Sequence, residues 1–398
     1  MKKPRLLYAS GPCDSLRLYN YYRQGEDDPT HFAVIYTQQF FDACKTLDAI
    51  GMAISPHIRA GAIRDQQFTI SHWPFFFKKG PAIAYHLYRI WLNLRLVVTA
   101  LLFRADAVIV VGSWHHIYIL FLLTWLGIPV IPDLHTKLWA PSAKRKGLSE
   151  LILKLNSHLF SHGCQGILVV SDEIGSQIKA VTQNQNKPIH RFFPTYRPHR
   201  FNHIKAVNLQ ASPFVVLYVG RIERNKGVCD LLEVAKRFAA EGQNIVFHLC
   251  GTGSELDKLR EAAADANLQE QFYCHGHLLQ EDLRNMYSQS NVVIAPTTNS
   301  FAEGFNKVAL EAILAGRPIV TSSACPALAD VEAAAMVVPP GDVKAYGNAI
   351  LKLWQDKALY QAKCESALRM QAQFYDLRQG WQSTLESVLK PLLNGEQA

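Results

Sequence analysis

Short β-branched runs alternate with runs of helical period along most of this chain. Arg5 to Ala9 reads as a first strand, His31 to Tyr36 as another, and Gln38 to Ile50 as a helix closed by Gly51. Ala105 to Val111 is an uninterrupted apolar strand, followed by a helix from Ile117 to Leu126, a strand from Ile128 to Pro132, a helix from Ser149 to Phe160 and a strand from Gly166 to Val170. Ser171 and Asp172 then stand as candidate N-caps for the next helix. Strands that alternate with helices predict a parallel sheet covered on both faces.

Polar and proline-rich sequence from Gln183 to Pro213 interrupts the pattern and reads as a linker. A second series follows. It places strands at Phe214 to Val219, Ile245 to Cys250, Phe272 to His275, Val292 to Ala295 and Pro318 to Thr321. Helices are expected from Gly227 to Ala240, Glu255 to Ala266, Gln280 to Ser288 and Lys307 to Ala315, with more beyond Pro339-Pro340-Gly341-Asp342. The expected architecture is α/β, with two doubly wound Rossmann-like domains at residues 1–200 and 214–375 that face each other across a cleft. The final helix is expected to pack back onto the first domain.

Composition adds location and partners. At 398 residues the chain suffices for two domains, and 49% apolar content suits a globular protein. The start Met1-Lys2-Lys3-Pro4-Arg5 leads into too short an apolar run for a signal peptide, and Ile117 to Ile131, broken by Gly127 and Pro129, is too short to span a bilayer. Eight cysteines stand singly, with no ligand spacing among them, so no zinc site or disulfide framework is expected. A cytoplasmic protein follows as the expectation.

Residues 1–200 hold 23 Lys and Arg against 12 Asp and Glu, a balance of +11, which leaves 18 against 21, or −3, for the remainder. The basic residues are mixed with aromatics, as in Trp73 to Lys79 and Tyr85 to Arg95. That mixture favours peripheral contact with an anionic membrane or a lipid-linked partner over a nucleic acid, while a core helix with a solvated basic edge remains the plainer alternative.

The most informative segment is Glu303-Gly304-Phe305-Asn306-Lys307-Val308-Ala309-Leu310-Glu311, between a strand and a helix. Two carboxylates eight positions apart can accept hydroxyl hydrogen bonds while the helix N-terminus takes an anion. Earlier, Gly220-Arg221 and Lys226-Gly227 flank a strand-to-helix loop in which a guanidinium and an ammonium can converge on a diphosphate. Gly251-Thr252-Gly253 is too weak a glycine pattern for a dinucleotide site and reads as a tight turn bordering the first. Ile131-Pro132-Asp133-Leu134-His135 ends a first-domain strand and faces the same cleft, where Asp133 is expected either to orient His135 or to bind the acceptor.

The order of these segments, with Gly276, Ala295-Pro296, Ala315-Gly316-Arg317-Pro318 and Pro340-Gly341-Asp342, resembles the retaining glycosyltransferases of family four, which have the GT-B fold and a Glu-x7-Glu motif. The resemblance covers residues 214 to about 355 and is looser before them. It implies that Arg221 and Lys226 bind the donor diphosphate, Glu303 faces the transferred sugar, Glu311 accepts from the donor ribose, and backbone N–H groups of Gly304, Phe305, Asn306 and Lys307 hold the distal phosphate or sugar. His135 is implied to contact the donor sugar. Gly11, Gly220, Gly251 and Gly276 with His277 border the donor, the loop after Gly276 meeting the base. Three departures stand out: Asn306-Lys307 where small or apolar residues are usual, Ser10-Gly11-Pro12 in place of paired glycines, and Phe193 to Arg197 without an Asn-Gly turn.

The implied function is retaining transfer of a hexose from a nucleoside-diphosphate sugar, the co-substrate, to a glycan or lipid-linked acceptor in polysaccharide biosynthesis. No resident cofactor is expected, and the absence of Asp-x-Asp predicts metal independence. A sugar-nucleotide epimerase or phosphorylase, or a non-catalytic sugar-nucleotide binder, is the alternative.

Overall fold

Each apolar series builds a sheet of its own. The computed structural model describes residues 2–75, 82–143, 146–208 and 212–395. Along the chain, the first sheet contains β1 (Arg5–Ala9), β2 (Ile50–His57), β3 (Gly61–Arg64), β4 (Phe68–Pro74), β5 (Ala107–Val111), β6 (Val130–Leu134), β7 (Ile167–Val169) and β8 (Ile189–Arg191). Its spatial order is β3-β4-β2-β1-β5-β6-β7-β8, parallel except for the edge strand β3.

The second sheet contains β9 (Phe214–Val219), β10 (Ile245–Cys250), β11 (Phe272–Gly276), β12 (Val292–Ala295), β13 (Ile319–Ser322) and β14 (Ala335–Val338). All are parallel, in the order β11-β10-β9-β12-β13-β14. Period-two alternation divides its interior: Val216, Tyr218, Val292 and Ile294 face one apolar cluster, Leu217 and Val293 the other. Strand order reverses between β1 and β5 and again between β9 and β12, so a crevice opens beyond the carboxyl ends of those pairs. Two doubly wound domains facing one another are thus the observed fold, as expected.

The first domain departs from the sequence expectation in detail. His31–Tyr36 is not a strand. Phe32 stacks on Tyr287 (5.6 Å between ring centroids) and meets Phe201 edge-on (5.2 Å), so its apolar character serves contact between the domains. The helix runs Tyr36–Thr46, a further helix spans Ser15–Gln24, and Ile50 opens β2. Ile117–Leu120 is a 3-10 turn that passes into the short helix Phe121–Trp125.

The helix Ala82–Phe103 lies on the first sheet with Leu92, Leu96, Ala100 and Phe103 buried, yet Ile83, Leu87, Trp91, Leu94, Val98 and Leu102 are exposed on its outer side. Its residues Ile83–Phe103 are long and apolar enough to cross a membrane, with a mean hydropathy of 1.2, but 39% of that window is buried in the fold. Lys78 and Lys79 lie outside the described residues.

The chain crosses between the domains twice. After β8 the first crossing carries Phe193 N–H to Gln379 O (2.8 Å) and Tyr196 N–H to Phe374 O (2.9 Å), which belong to the returning second crossing. The terminal helix Trp381–Leu393 then packs on Tyr36–Thr46, with the Trp381 ring 5.4 Å from Tyr8 and 6.0 Å from Tyr36.

Candidate functional site

Two recesses meet at the carboxyl end of β9. One, of about 220 Å³, is lined by Gly220, Arg221, Lys226, Thr297, Glu303 and Asn306 among others, with Tyr218, Phe305 and Lys307 completing the wall. Its neighbour, about 270 Å³, shares Gly220 and Arg221 and adds Gly251, Thr252, His277 and Leu278 from the second domain and Thr30 and Phe32 from the first. The shared residues make them one groove.

Backbone requirements explain the glycines. Gly220 has φ +146° and Gly251 φ +148°, and a Cβ on Gly251 would stand 1.7 Å from the Gly220 carbonyl oxygen, so these turns pack main chain on main chain. Gly276 O accepts from Gly251 N (2.8 Å) and supports that turn from behind. Gly11, at the end of β1, lines neither recess; a Cβ there would meet only Ser113 Oγ at 3.9 Å and Val111 at 4.0 Å.

Lys226 and Glu303 form an ion pair within the recess, their side chains 14% and 12% exposed. Glu303 Oε2 also accepts weakly from Thr297 Oγ1 (3.4 Å) and Asn306 Nδ2 (3.4 Å). The Phe301 ring holds both cations, Lys226 Nζ at 4.2 Å from its centroid and the Arg221 guanidinium at 5.1 Å. Arg221 otherwise pairs with Glu223 (3.1 Å) and is 54% exposed, so its guanidinium stays available.

Asn306 caps the helix Lys307–Leu314 by accepting from Ala309 N (3.3 Å), and Phe305 is buried. Gly304 sits where the domains touch: Glu303 bridges Thr136 as in an antiparallel sheet, and a Cβ on Gly304 would stand 2.2 Å from the His135 carbonyl oxygen. His135 therefore lies against the glutamate loop. Its Nε2 is 2.8 Å from Asp133 Oδ2 and its ring lies 4.3 Å from Tyr36.

Two of the expected site carboxylates are buried. Asp133 lies fully buried beneath His135, a place that suits orienting that ring better than meeting an acceptor. Lys307 lines the recess, and its ammonium reaches the first domain, donating to Val34 O (3.2 Å) over the Tyr36 ring (4.8 Å), which leaves its expected backbone role at the helix mouth untouched. Burial lowers its pKa to about 8 against the opposing pull of Glu311. Glu311 is 3% exposed and lines neither recess; Oε1 accepts from Tyr196 (2.6 Å) and Oε2 from Tyr287 (2.8 Å). Burial raises its carboxyl pKa although both hydroxyls favour the anion.

Thr297, Phe301 and Leu278 were not singled out by sequence. Phe301 stands two positions before Glu303, close enough to have been found. Among the described residues one group has metal-ligand geometry: Asp14, His57 and His72, whose ligand atoms lie within 4.8 Å of one another where β1, β2 and β4 end. His72 Nε2 already accepts from Leu16 N (3.2 Å). Folding, not sequence spacing, assembles that group.

Comparison with known proteins agrees with the fold. Residues 199–371 match the family model described as glycosyl transferases group 1. A 2-deoxystreptamine N-acetyl-D-glucosaminyltransferase of Streptomyces fradiae is 29% identical over 161 residues, 39% of this chain and 37% of that protein. The amylovoran biosynthesis glycosyltransferase AmsK of Erwinia amylovora is 25% identical over 166 residues, 40% of each. The chain thus spans about two fifths of the length of these relatives. A sucrose-phosphate synthase structure from Thermosynechococcus elongatus superposes with a TM-score of 0.73 at 16% identity, covering 99% of this chain and 100% of that one. An Anabaena structure, Alr3699/HepE in complex with UDP, gives 0.67 at 15% identity, with 99% and 100% covered. The fold is GT-B.

Proposed function

We propose that this chain is a retaining, metal-independent glycosyltransferase that moves a hexose from a nucleoside-diphosphate sugar to a glycan or lipid-linked acceptor in polysaccharide biosynthesis. The single observation that carries the reading is the recess at the end of β9, where Arg221 and the Lys226–Glu303 pair line one wall. Support comes from the glycosyl transferase match over the domain that holds this recess, from the UDP named in the Anabaena structure, and from the amylovoran biosynthesis named for the Erwinia relative.

In this reading the donor diphosphate lies along Arg221 and Lys226. Cleavage of the bond between the sugar's anomeric carbon and the phosphate oxygen builds negative charge on the diphosphate, which the two cations stabilise as preorganised donors. The arriving phosphate draws Lys226 from Glu303 and frees that carboxylate to steady the electron-poor sugar. The acceptor oxygen bonds to the anomeric carbon on the face the diphosphate leaves, and its proton passes to the leaving phosphate. His135, aligned by Asp133, meets the sugar from the first domain.

The protein works in the cytoplasm at the inner face of a membrane, where the exposed apolar side of helix Ala82–Phe103 and the basic first domain meet anionic lipid. A thermal-shift screen of uridine and guanosine diphosphate sugars tests donor binding, since a ligand that prefers the native state raises Tm. Proton NMR of the product then reads the anomer. No stabilisation by any such donor, or a product of inverted configuration, removes the proposal.

A further inference from the structure

Outside the donor groove, the first domain gathers a second set of cationic groups. Arg89, on the helix Ala82–Phe103, is 7% exposed, and among the described residues it makes no ion pair; its Nε is buried without a hydrogen-bond partner. The guanidinium packs instead over the rings of Phe75 (4.5 Å) and Tyr85 (5.2 Å). A buried guanidinium without a carboxylate is costly unless something anionic meets it.

Its charge acts on His115 and His116, and His86 stands one turn earlier on the same helix. His86 Nδ1 is 3.0 Å from His116 Nε2, and His115 Nδ1 is 3.0 Å from the Tyr85 hydroxyl. His116 Nδ1 in turn meets Tyr118 Oη at 3.2 Å, so it has no nitrogen to spare. The Nε2 atoms of His86 and His115 make no hydrogen bond among the described residues. Burial, Arg89 and the neighbouring imidazoles push His115 and His116 down to about 4, His115 even though part of the residue reaches solvent, and no carboxylate acts on either ring.

The backbone that presents them is strained. His115 has φ +62° and ψ −64°, and His116 N–H bonds Trp114 O at 2.8 Å, which together make a γ-turn of the rare hand. Two asparagines hold it: Asn93 Nδ2 donates to Trp114 O (3.2 Å), and Asn156 Nδ2 donates to His115 O (2.8 Å). This turn follows β5, at the switch point of the first sheet. A strained turn held at a switch point marks a place where such sheets bind ligands.

We infer that Arg89, His86 and His115 form a phosphate subsite in the first domain that holds a phosphorylated acceptor. The wording "acceptor" rests on the proposed transferase function; phosphate binding does not, so the two can fail separately. The exposed apolar side of the same helix, with Leu87 and Trp91, would run along a hydrocarbon chain attached to that phosphate.

The test uses the full chain with ring-15N histidine, titrated with methyl phosphate and with farnesyl phosphate below its micelle concentration. The expected result is a saturable shift of the His86 and His115 ring signals, with the affinity read from His86 weakened at least tenfold by Arg89→Gln and by His115→Asn. Because His115 is exposed, His115→Asn keeps the test decisive if Arg89→Gln does not fold. Farnesyl phosphate binding at least tenfold tighter assigns the site to a lipid-linked acceptor, and equal affinity assigns it to a soluble phosphorylated one. Ring signals that stay in place with both probes, or that saturate equally in the variants, overturn the inference.

Discussion

The Tyr196 hydroxyl donates to Glu311 Oε1 at 2.6 Å, joining the segment between the domains to the helix beside the cleft. Burial raises the Glu311 pKa above its ordinary value of 4.5. A carboxyl raised in the folded state contributes stability that is complete below its unfolded pKa and is lost as pH rises through the folded value. The Tm of Glu311→Gln relative to the unsubstituted chain should therefore rise from pH 4.5 upward. A difference that is flat with pH would show that burial does not govern this carboxyl.

Lys226 and Glu303 are paired before the donor binds and, in the proposed mechanism, part when its phosphate arrives, so they act on separate charges during the reaction. Lys226→Met and Glu303→Gln are each expected to lower kcat by about 10²- to 10³-fold, the scale of losing one preorganised group. The double variant should lose close to the product of the two. A double variant little worse than either would mean that the two act as one unit.

Gly304 and Gly11 make opposite predictions for the same change. Alanine at 304 drives a Cβ into the His135 carbonyl, so the domain contact must open, and turnover should fall steeply with a loss of Tm. Alanine at 11 meets nothing closer than 3.9 Å and should leave unfolding free energy within about 0.5 kcal/mol, the usual range for harmless substitutions. Denaturant titration of both variants decides between them.

If Arg221 and Lys226 neutralise the donor diphosphate as proposed, turnover should persist in excess EDTA. Loss of activity on chelation, restored by a divalent ion, would refute this.

Binding to anionic liposomes should fall as salt is raised and should be abolished by Leu87→Glu with Trp91→Glu, both exposed. Neutral liposomes should bind less. Salt-independent binding, or none, would remove the membrane from the proposal.

The second sheet was legible because its strands are largely apolar runs, several of them closed by glycine or proline, as at Val219-Gly220, Cys250-Gly251 and Ala295-Pro296. The first sheet hid β2 and β4, whose Gly51, Ser55, Pro56 and His72 blur the strand signal. His31–Tyr36 looked like a strand because its apolar residues face the other domain, and periodicity does not distinguish that use from a sheet. For the site, spacing drew attention to Glu303 and Lys226, which the fold pairs, but it did not foresee the burial of Glu311. The helix period predicts which side of the helix Glu311 occupies and says nothing of Tyr196 and Tyr287, which fold in from elsewhere to cover it. Asp133 is the same case in the other domain.

The paired crossings at Phe193 and Gly380 run side by side, bridged to one another as neighbouring strands would be. Any movement of one half against the other has to carry both crossings together, because the main chain at Phe193 is tied to the main chain at Gly380.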